Sequence, residues 1–534
     1  MLVFGTQAQT TFTRQDTLRG AITPERAWWD LTYYHLDIKV DPELKTIAGS
    51  NTVHYEVVSE GKVMQIDLQP PLQMTKVVQN GQELAVRHDG NAHFIEIVDD
   101  QPIGSLASME VFYEGEPVEA INPPWDGGIT WDKDANGKPF IASSCQGIGA
   151  SVWWPCKDHM YDEPDSMLIS VTVPKNLMNV SNGRLRGIDK NKDKTITTHW
   201  FVNSPISNYV VNINIGDYVT WREAYAGEKG PLDLDYWVLR DNKQKAKTQF
   251  TQTPMMLKAF EHWFGPYPFY EDGFKLVETP YLGMEHQSSI TYGNGYQNGY
   301  RGRDLSRTGW GLTFDFIIIH ESGHEWWANN ITVNDIADMW VHESFTNYSE
   351  NLYVEYYNGK EAGAAYVKGT RWDIHNETPI VGTYHLNARG SGDMYPKGGN
   401  MLHTLRQLVN DDEEWRSILR GLNETFYHQT VDGSEVEAYI ADKSGLQLGY
   451  FFDQYLRDIR VPILEYKIDD TILHVRWNNC LVEFAMPIEL EVNGVSRWVP
   501  AATEWTEIGV NEKITSVVVD PDYYVGSLNI MGGL

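Results

Sequence analysis

Residues Phe316-Ile317-Ile318-Ile319-His320-Glu321-Ser322-Gly323-His324 join an apolar run to an H-E-x-x-H motif. The pattern over 314–329 is that of a helix. Four-residue spacing sets both imidazoles on one helical face a turn apart, where their nitrogens can reach one Zn²⁺ at about 2.0–2.1 Å. Glu321 then lies beside the metal rather than on it, suited to taking a proton from zinc-bound water. Such a site needs a third protein ligand. Glu343 follows His324 after an 18-residue gap, at the start of the next helical pattern. Two neutral imidazoles and one carboxylate leave a coordination place for water, whose pKa the metal brings to about 7. His342 points about 100° away on the helix and reads as a packing or supporting residue. Glu350, two turns beyond Glu343, is placed to orient a ligand imidazole, with a solvated helix charge as the alternative.

Around this motif the chain changes period twice. From about residue 28 to 217 short segments alternate, with Tyr34, Leu36, Ile38 and Val40 facing one way and Tyr33, His35, Asp37 and Lys39 the other. Tyr209, Val211, Ile213 and Ile215 repeat that scheme, so this third reads as mostly antiparallel sheet. Between about 246 and 458 the period is helical, with helices expected at 254–264, 314–329, 342–357, 397–408 and 435–458. Strands return after Arg460. Segments 464–468 and 472–477 flank one turn, and Asn493-Gly494 joins 489–492 to 495–499, a strong hairpin signal. The last 75 or so residues therefore read as a small β-sandwich.

The 534 residues argue for about three domains, and 42% hydrophobic with 12% aromatic residues is a globular balance. A net charge of −30 repels phosphate backbones and anionic lipid, which counts against nucleic-acid or peripheral membrane partners. No apolar run approaches the roughly 18–20 residues that a membrane span needs. Residues 1–9 read like the tail of a secretory signal, so export to the periplasm or medium is expected; a frayed cytoplasmic terminus is the alternative. Cys145 and Cys156 could pair in an oxidising compartment, but two buried thiols is the simpler reading.

These motifs resemble the zinc aminopeptidases of the aminopeptidase N and leukotriene hydrolase type, in which H-E-x-x-H, an 18-residue gap and Glu supply the metal site. Tyr281-Leu282-Gly283-Met284-Glu285-His286 is similar to that family's G-x-M-E-N segment. The resemblance implies that Glu285 binds the substrate's free α-ammonium, with Tyr281, Gly283 and Met284 beside it. Tyr395-Pro396-Lys397-Gly398 resembles its Y-x-K-G segment, which implies that the Tyr395 hydroxyl steadies the tetrahedral oxyanion. Cys145-Gln146 before Pro155-Cys156-Lys157-Asp158 resembles the leukotriene hydrolase branch and implies that Gln146 is a second amine anchor. The chain departs from the family pattern at Leu282, His286, His342, Ser344 and Pro396. It also shows no counterpart of the family's helical C-terminal domain.

The resemblance covers nearly the whole chain. It implies a multidomain α+β protein: a signal-like remnant and arm over 1–27, an N-terminal β-saddle over 28–220, a thermolysin-like, mainly helical catalytic domain over 221–458, and a C-terminal β-sandwich over 459–534. The expected activity is removal of N-terminal residues from peptides or aminoacyl substrates, with one Zn²⁺ per chain on His320, His324 and Glu343 and with Glu321 as general base. Competing readings are an epoxide hydrolase or endopeptidase on the same centre, or a peptide-binding scaffold without catalysis.

Overall fold

The structure is a computed structural model that describes residues 11–530, so the signal-like segment 1–9 lies outside the described residues. An eight-stranded sheet dominates the first part of the chain, with Trp29–Asp41 near its middle. That strand pairs antiparallel with Thr46–Val57 and parallel with Ser166–Pro174. Its alternation is the cause of its placement: Tyr34, Leu36, Ile38 and Val40 are buried, while Asp37 and Lys39 are exposed. A four-stranded sheet stands beside it, and its strand Pro139–Ser144 leads directly into Cys145 and Gln146. Cys145 and Cys156 are free, buried thiols.

The alternating segment at 209–215 is not one strand. Asn208–Val210 forms a 3-10 turn and Asn214–Gly216 a short strand. Its intervening residues Val210, Asn212 and Asn214 are as buried as the alternating set, because the segment is covered on both sides. The Asn212 side chain donates to the Ser289 carbonyl at 3.1 Å, and Asn182 donates to that of Gln287 at 2.7 Å, tying the first sheets to the next part of the chain.

The middle part opens with a five-stranded sheet, in the order Tyr218–Gly227, Gly230–Leu239, Phe274–Glu278, Ile290–Tyr292 and Gly283–Met284. Tyr218–Gly227 runs through residue 220, where the sequence reading divides the chain. Helices follow at Gln252–Phe264, Phe316–Gly323, Trp340–Asn358, Lys360–Gly369, Pro396–Val409 and Asp412–Thr425. The last begins where Asp411 accepts from the backbone N–H groups of Glu413 and Glu414, at 2.9 and 3.0 Å. Two expected helices are shorter than their patterns. The 314–329 pattern stops at Gly323 and continues as a π-type turn, Glu325–Asn329. The 435–458 pattern divides into Gly433–Ser444 and Gly449–Leu456, because Gly445 takes a φ of +66° that ends the first helix.

The C-terminal part holds a four-stranded and a three-stranded sheet. Asn493 and Gly494, with φ of 52° and 78°, make the tight turn between Ile488–Val492 and Val495–Val499. Apolar residues from both sheets, among them Leu464, Val475, Trp477 and Leu490, are continuous with the core of the helical part. No helix among the described residues is long and apolar enough to cross a membrane.

Candidate active site

The helix Phe316–Gly323 starts at Asp315, whose side chain caps the Ile317 N–H at 3.2 Å and accepts from Tyr292 at 2.7 Å. Isoleucines on this short helix are buried, fixing its rotation so that His320, Glu321 and His324 turn into a cleft of about 490 Å³. The next long helix brings Glu343 to the same place. Its Oε2 lies 3.4 Å from His324 Nε2 and 4.0 Å from His320 Nε2.

Outer partners decide which ring nitrogens face inward. Glu350 holds His320 Nδ1 at 2.8 Å, and Tyr366 donates to the other Glu350 oxygen at 2.6 Å. His324 Nδ1 lies 3.1 Å from the Trp327 carbonyl and 3.1 Å from Thr346 Oγ1. An N–H at each Nδ1 leaves both Nε2 atoms as bare acceptors. They face Glu343 Oε2, which is buried with no hydrogen-bond donor. Three potential ligand atoms converging on one buried point fit a divalent cation, which would take the place of any proton shared between His324 and Glu343, and the N,N,O set suits zinc. The turn at Trp327 explains the early end of the helix: its carbonyl is directed back to His324 instead of continuing the ladder.

The charges are strongly coupled through this buried space. Burial pushes Glu321 up to about 7, against the pull of His320. Burial also opposes charge on His324, but Glu343, Glu285 and Glu321 outweigh it and carry the imidazole up to about 10. For Glu343 burial is outweighed by His324 and His320, which bring the carboxyl down to about 2.

The other expected residues reach the cleft from separate elements. Glu285 follows the edge strand Gly283–Met284 and is buried, with its carboxyl raised by burial. The Gln146 amide, from the first part of the chain, donates to Glu285 at 2.7 Å and to Glu343 at 3.1 Å. Gly283, Met284 and Tyr395 line the cleft. Tyr395 sits just before the helix Pro396–Val409, with its ring stacked near His320 at 6.1 Å and its hydroxyl close enough to Glu343 that the two groups influence each other's titration. Two expectations are corrected or narrowed. Tyr281 is outside the cleft lining and donates to the Ser143 carbonyl at 2.7 Å, joining the edge strand to the first sheets. His342, beside Glu343, accepts from the Val333 N–H at 3.0 Å, the packing role that the sequence suggests.

Several lining residues were not anticipated: Trp125, Phe316, Asn347, Asp373 and Arg389. Asn347 had a readable signal, four residues after Glu343 on the same helix face. The others stand in loops, at a helix start or, for Asp373, at the end of a short 3-10 turn, where spacing carries no information about a distant cleft.

The family model described as the Peptidase family M1 domain matches residues 249–455, and the Peptidase M1 N-terminal domain matches residues 31–210. The chain belongs to peptidase family M1. Among its relatives, leukotriene A-4 hydrolase of Xenopus laevis is 22% identical over 84% of this chain and 74% of that protein. Probable aminopeptidase 2 of Sulfurisphaera tokodaii is 21% identical over 72% of this chain, which matches 50% of that protein. The M1 zinc metallopeptidase of Deinococcus radiodurans superposes with a TM-score of 0.68 at 19% identity, covering 79% of this chain and 92% of its own. A mutant of that enzyme has been solved with a Tyr-Ser-Ala substrate bound. The β-rich start, helical middle and β-rich end of this M1 chain agree with that fold.

Proposed function

We propose that this chain is a zinc aminopeptidase that removes single residues from the free N-terminus of peptides. The observation that carries the reading is the meeting of Gln146 and Glu285, 2.7 Å apart, beside the His320, His324 and Glu343 trio. A carboxylate and an amide oxygen at that end of the cleft suit an α-ammonium group. The relatives named probable aminopeptidases support it, although the chain spans only about half their length. We read the three parts as a β-saddle, a thermolysin-like domain and a β-sandwich.

His320, His324 and Glu343 would hold zinc, which supplies Lewis acidity at the scissile carbonyl and the attacking water. Glu285 and Gln146 fix the amine, so that one side chain fits before the cut. Glu321 accepts a proton from the attacking water and passes it to the leaving nitrogen; its raised carboxyl pKa is matched to both halves of that transfer. The Tyr395 hydroxyl donates a hydrogen bond to the oxygen on which negative charge develops. Glu350 keeps His320 turned inward without touching substrate.

Glu321→Gln tests the reading directly. It should retain zinc by elemental analysis while turnover on an aminoacyl anilide falls at least about a hundredfold. Wild-type enzyme should cleave free-amine substrates, lose activity on chelation, and ignore the N-acetylated forms. Full activity of Glu321→Gln, or equal rates on acetylated substrates, would refute it.

A further inference from the structure

The cleft is lined by five carboxylates, Glu285, Glu321, Glu343, Glu350 and Asp373, and by one cationic side chain among the described residues, Arg389. Arg389 is exposed and makes no hydrogen bond or ion pair with any described residue, although Asp373 lines the same cleft. Arg184, Arg222, Arg406, Arg420 and Arg457 hold carboxylate partners, whereas Arg389 lines an acidic cleft and holds none among the described residues.

The backbone that carries this free guanidinium is held on both sides. The His385 N–H donates to Asp335 at 2.7 Å, and that of Asn387 donates to the Asp16 carbonyl at 3.0 Å. On the far side, the Ser391 N–H donates to the Pro379 carbonyl at 3.0 Å. Gly20 of the N-terminal helix Arg14–Gly20 presses on the same loop so closely that a Cβ there would fall 2.0 Å from the Leu386 carbonyl carbon. A fixed loop presenting an unpaired guanidinium is an anchor whose partner comes from outside the chain.

The wall that holds Arg389 also holds Tyr395, and the amine-binding end is formed by Gln146 and Glu285. A peptide with its ammonium at Glu285 and its scissile carbonyl beside Tyr395 must send its leaving half along the remaining cleft. Each extended residue adds only about 3.3–3.6 Å, so the far end of a di- or tripeptide stays within the cleft. That end is a carboxylate, the group that a guanidinium fork matches in charge and geometry.

We propose that Arg389 binds a carboxylate on the leaving side of the substrate, so that the enzyme selects short peptides with a free C-terminus. The proposal rests on the aminopeptidase reading and goes beyond it by assigning the length and terminal chemistry of the substrate.

The test compares trialanine, its C-terminal amide and the amide of Ala-Ala-Glu on wild-type enzyme, Arg389→Gln and Arg389→Lys. For wild type, kcat/KM should be about tenfold higher for the free acid than for the amide, carried mostly by KM, as expected for one charge-assisted contact. In Arg389→Gln that ratio should fall to about one, and Arg389→Lys should recover part of it. A gain on Ala-Ala-Glu amide that depends on Arg389 would extend the site to side-chain carboxylates; a gain confined to trialanine would assign it to the main-chain terminus. Equal rates on acid and amide in wild type, or a preference that survives Arg389→Gln, would overturn the proposal. Failure to cleave any of the three free-amine peptides would instead overturn the aminopeptidase reading.

Discussion

Tyr395 and His286 show how one side chain acquires a role from what surrounds it. Among 29 tyrosines, Tyr395 is distinguished by a hydroxyl at Glu343 and a ring near His320. Tyr395→Phe should therefore lower kcat by about a hundredfold with little change in KM, since the lost donor acts on charge that develops during reaction. An unaltered kcat would remove it from the mechanism. His286 is fully buried, its Nδ1 3.2 Å from Thr291 Oγ1, and burial brings it down from 6.5 to about 3. The unfolded chain takes up that proton first, so the stability His286 contributes is complete above about pH 6.5 and is lost as pH falls towards 3. Urea unfolding of the zinc-free protein should depend less steeply on pH over this window in His286→Gln than in wild type. Identical slopes would count against it. The identity of His286 was plain in the sequence; its burial was not, because Ser288, Ser289 and Thr291 beside it, all buried, read locally as a polar loop.

The short helix Phe316–Gly323 works because the edge strand lies against it. A Cβ on Gly283 would fall 2.6 Å from Ile317 Cγ2 and 3.1 Å from Glu321 Oε1, so the strand leading to Glu285 can approach Glu321 only through a glycine. Gly283→Ala should shift Glu321 and lower kcat by about tenfold or more while zinc content stays near wild type. Normal kcat would show that the contact yields without consequence. The same reasoning explains Gly398, where a Cβ would fall 1.9 Å from Ser344 Oγ, between the helices that carry Tyr395 and Glu343. The spacing of their apolar and motif residues located these helices, although Phe316–Gly323 is buried on every side. It missed their ends: the stop after Gly323 depends on a carbonyl needed by His324, and the break at Gly445 on a left-handed backbone position.

Across the whole molecule the substrate end of the cleft is shared between the first sheets and the helical part. Gln146 crosses that boundary to Glu285 and Glu343, while Asn182 and Asn212 pin the neighbouring backbone. Gln146→Ala should leave zinc bound but raise KM for free-amine substrates by about tenfold, the order expected for one hydrogen bond to a charged group. A KM within twofold of wild type would take Gln146 out of amine binding. The His-Glu-x-x-His spacing, the distant Glu343 and the two changes of period are local properties of the chain, and they were enough for the metal chemistry and the order of the parts. Which residues oppose one another across the cleft depended on folding. Residues 146, 285, 321, 389 and 395 come from five separate elements, and no periodicity links such positions. Packing alone turned Tyr281 into the core of the first sheets, placed Arg389 in an acidic cleft without a partner, and set Gln146 against Glu285. Those contacts arise from side chains far apart in sequence, whose distances are fixed only once both cores are buried.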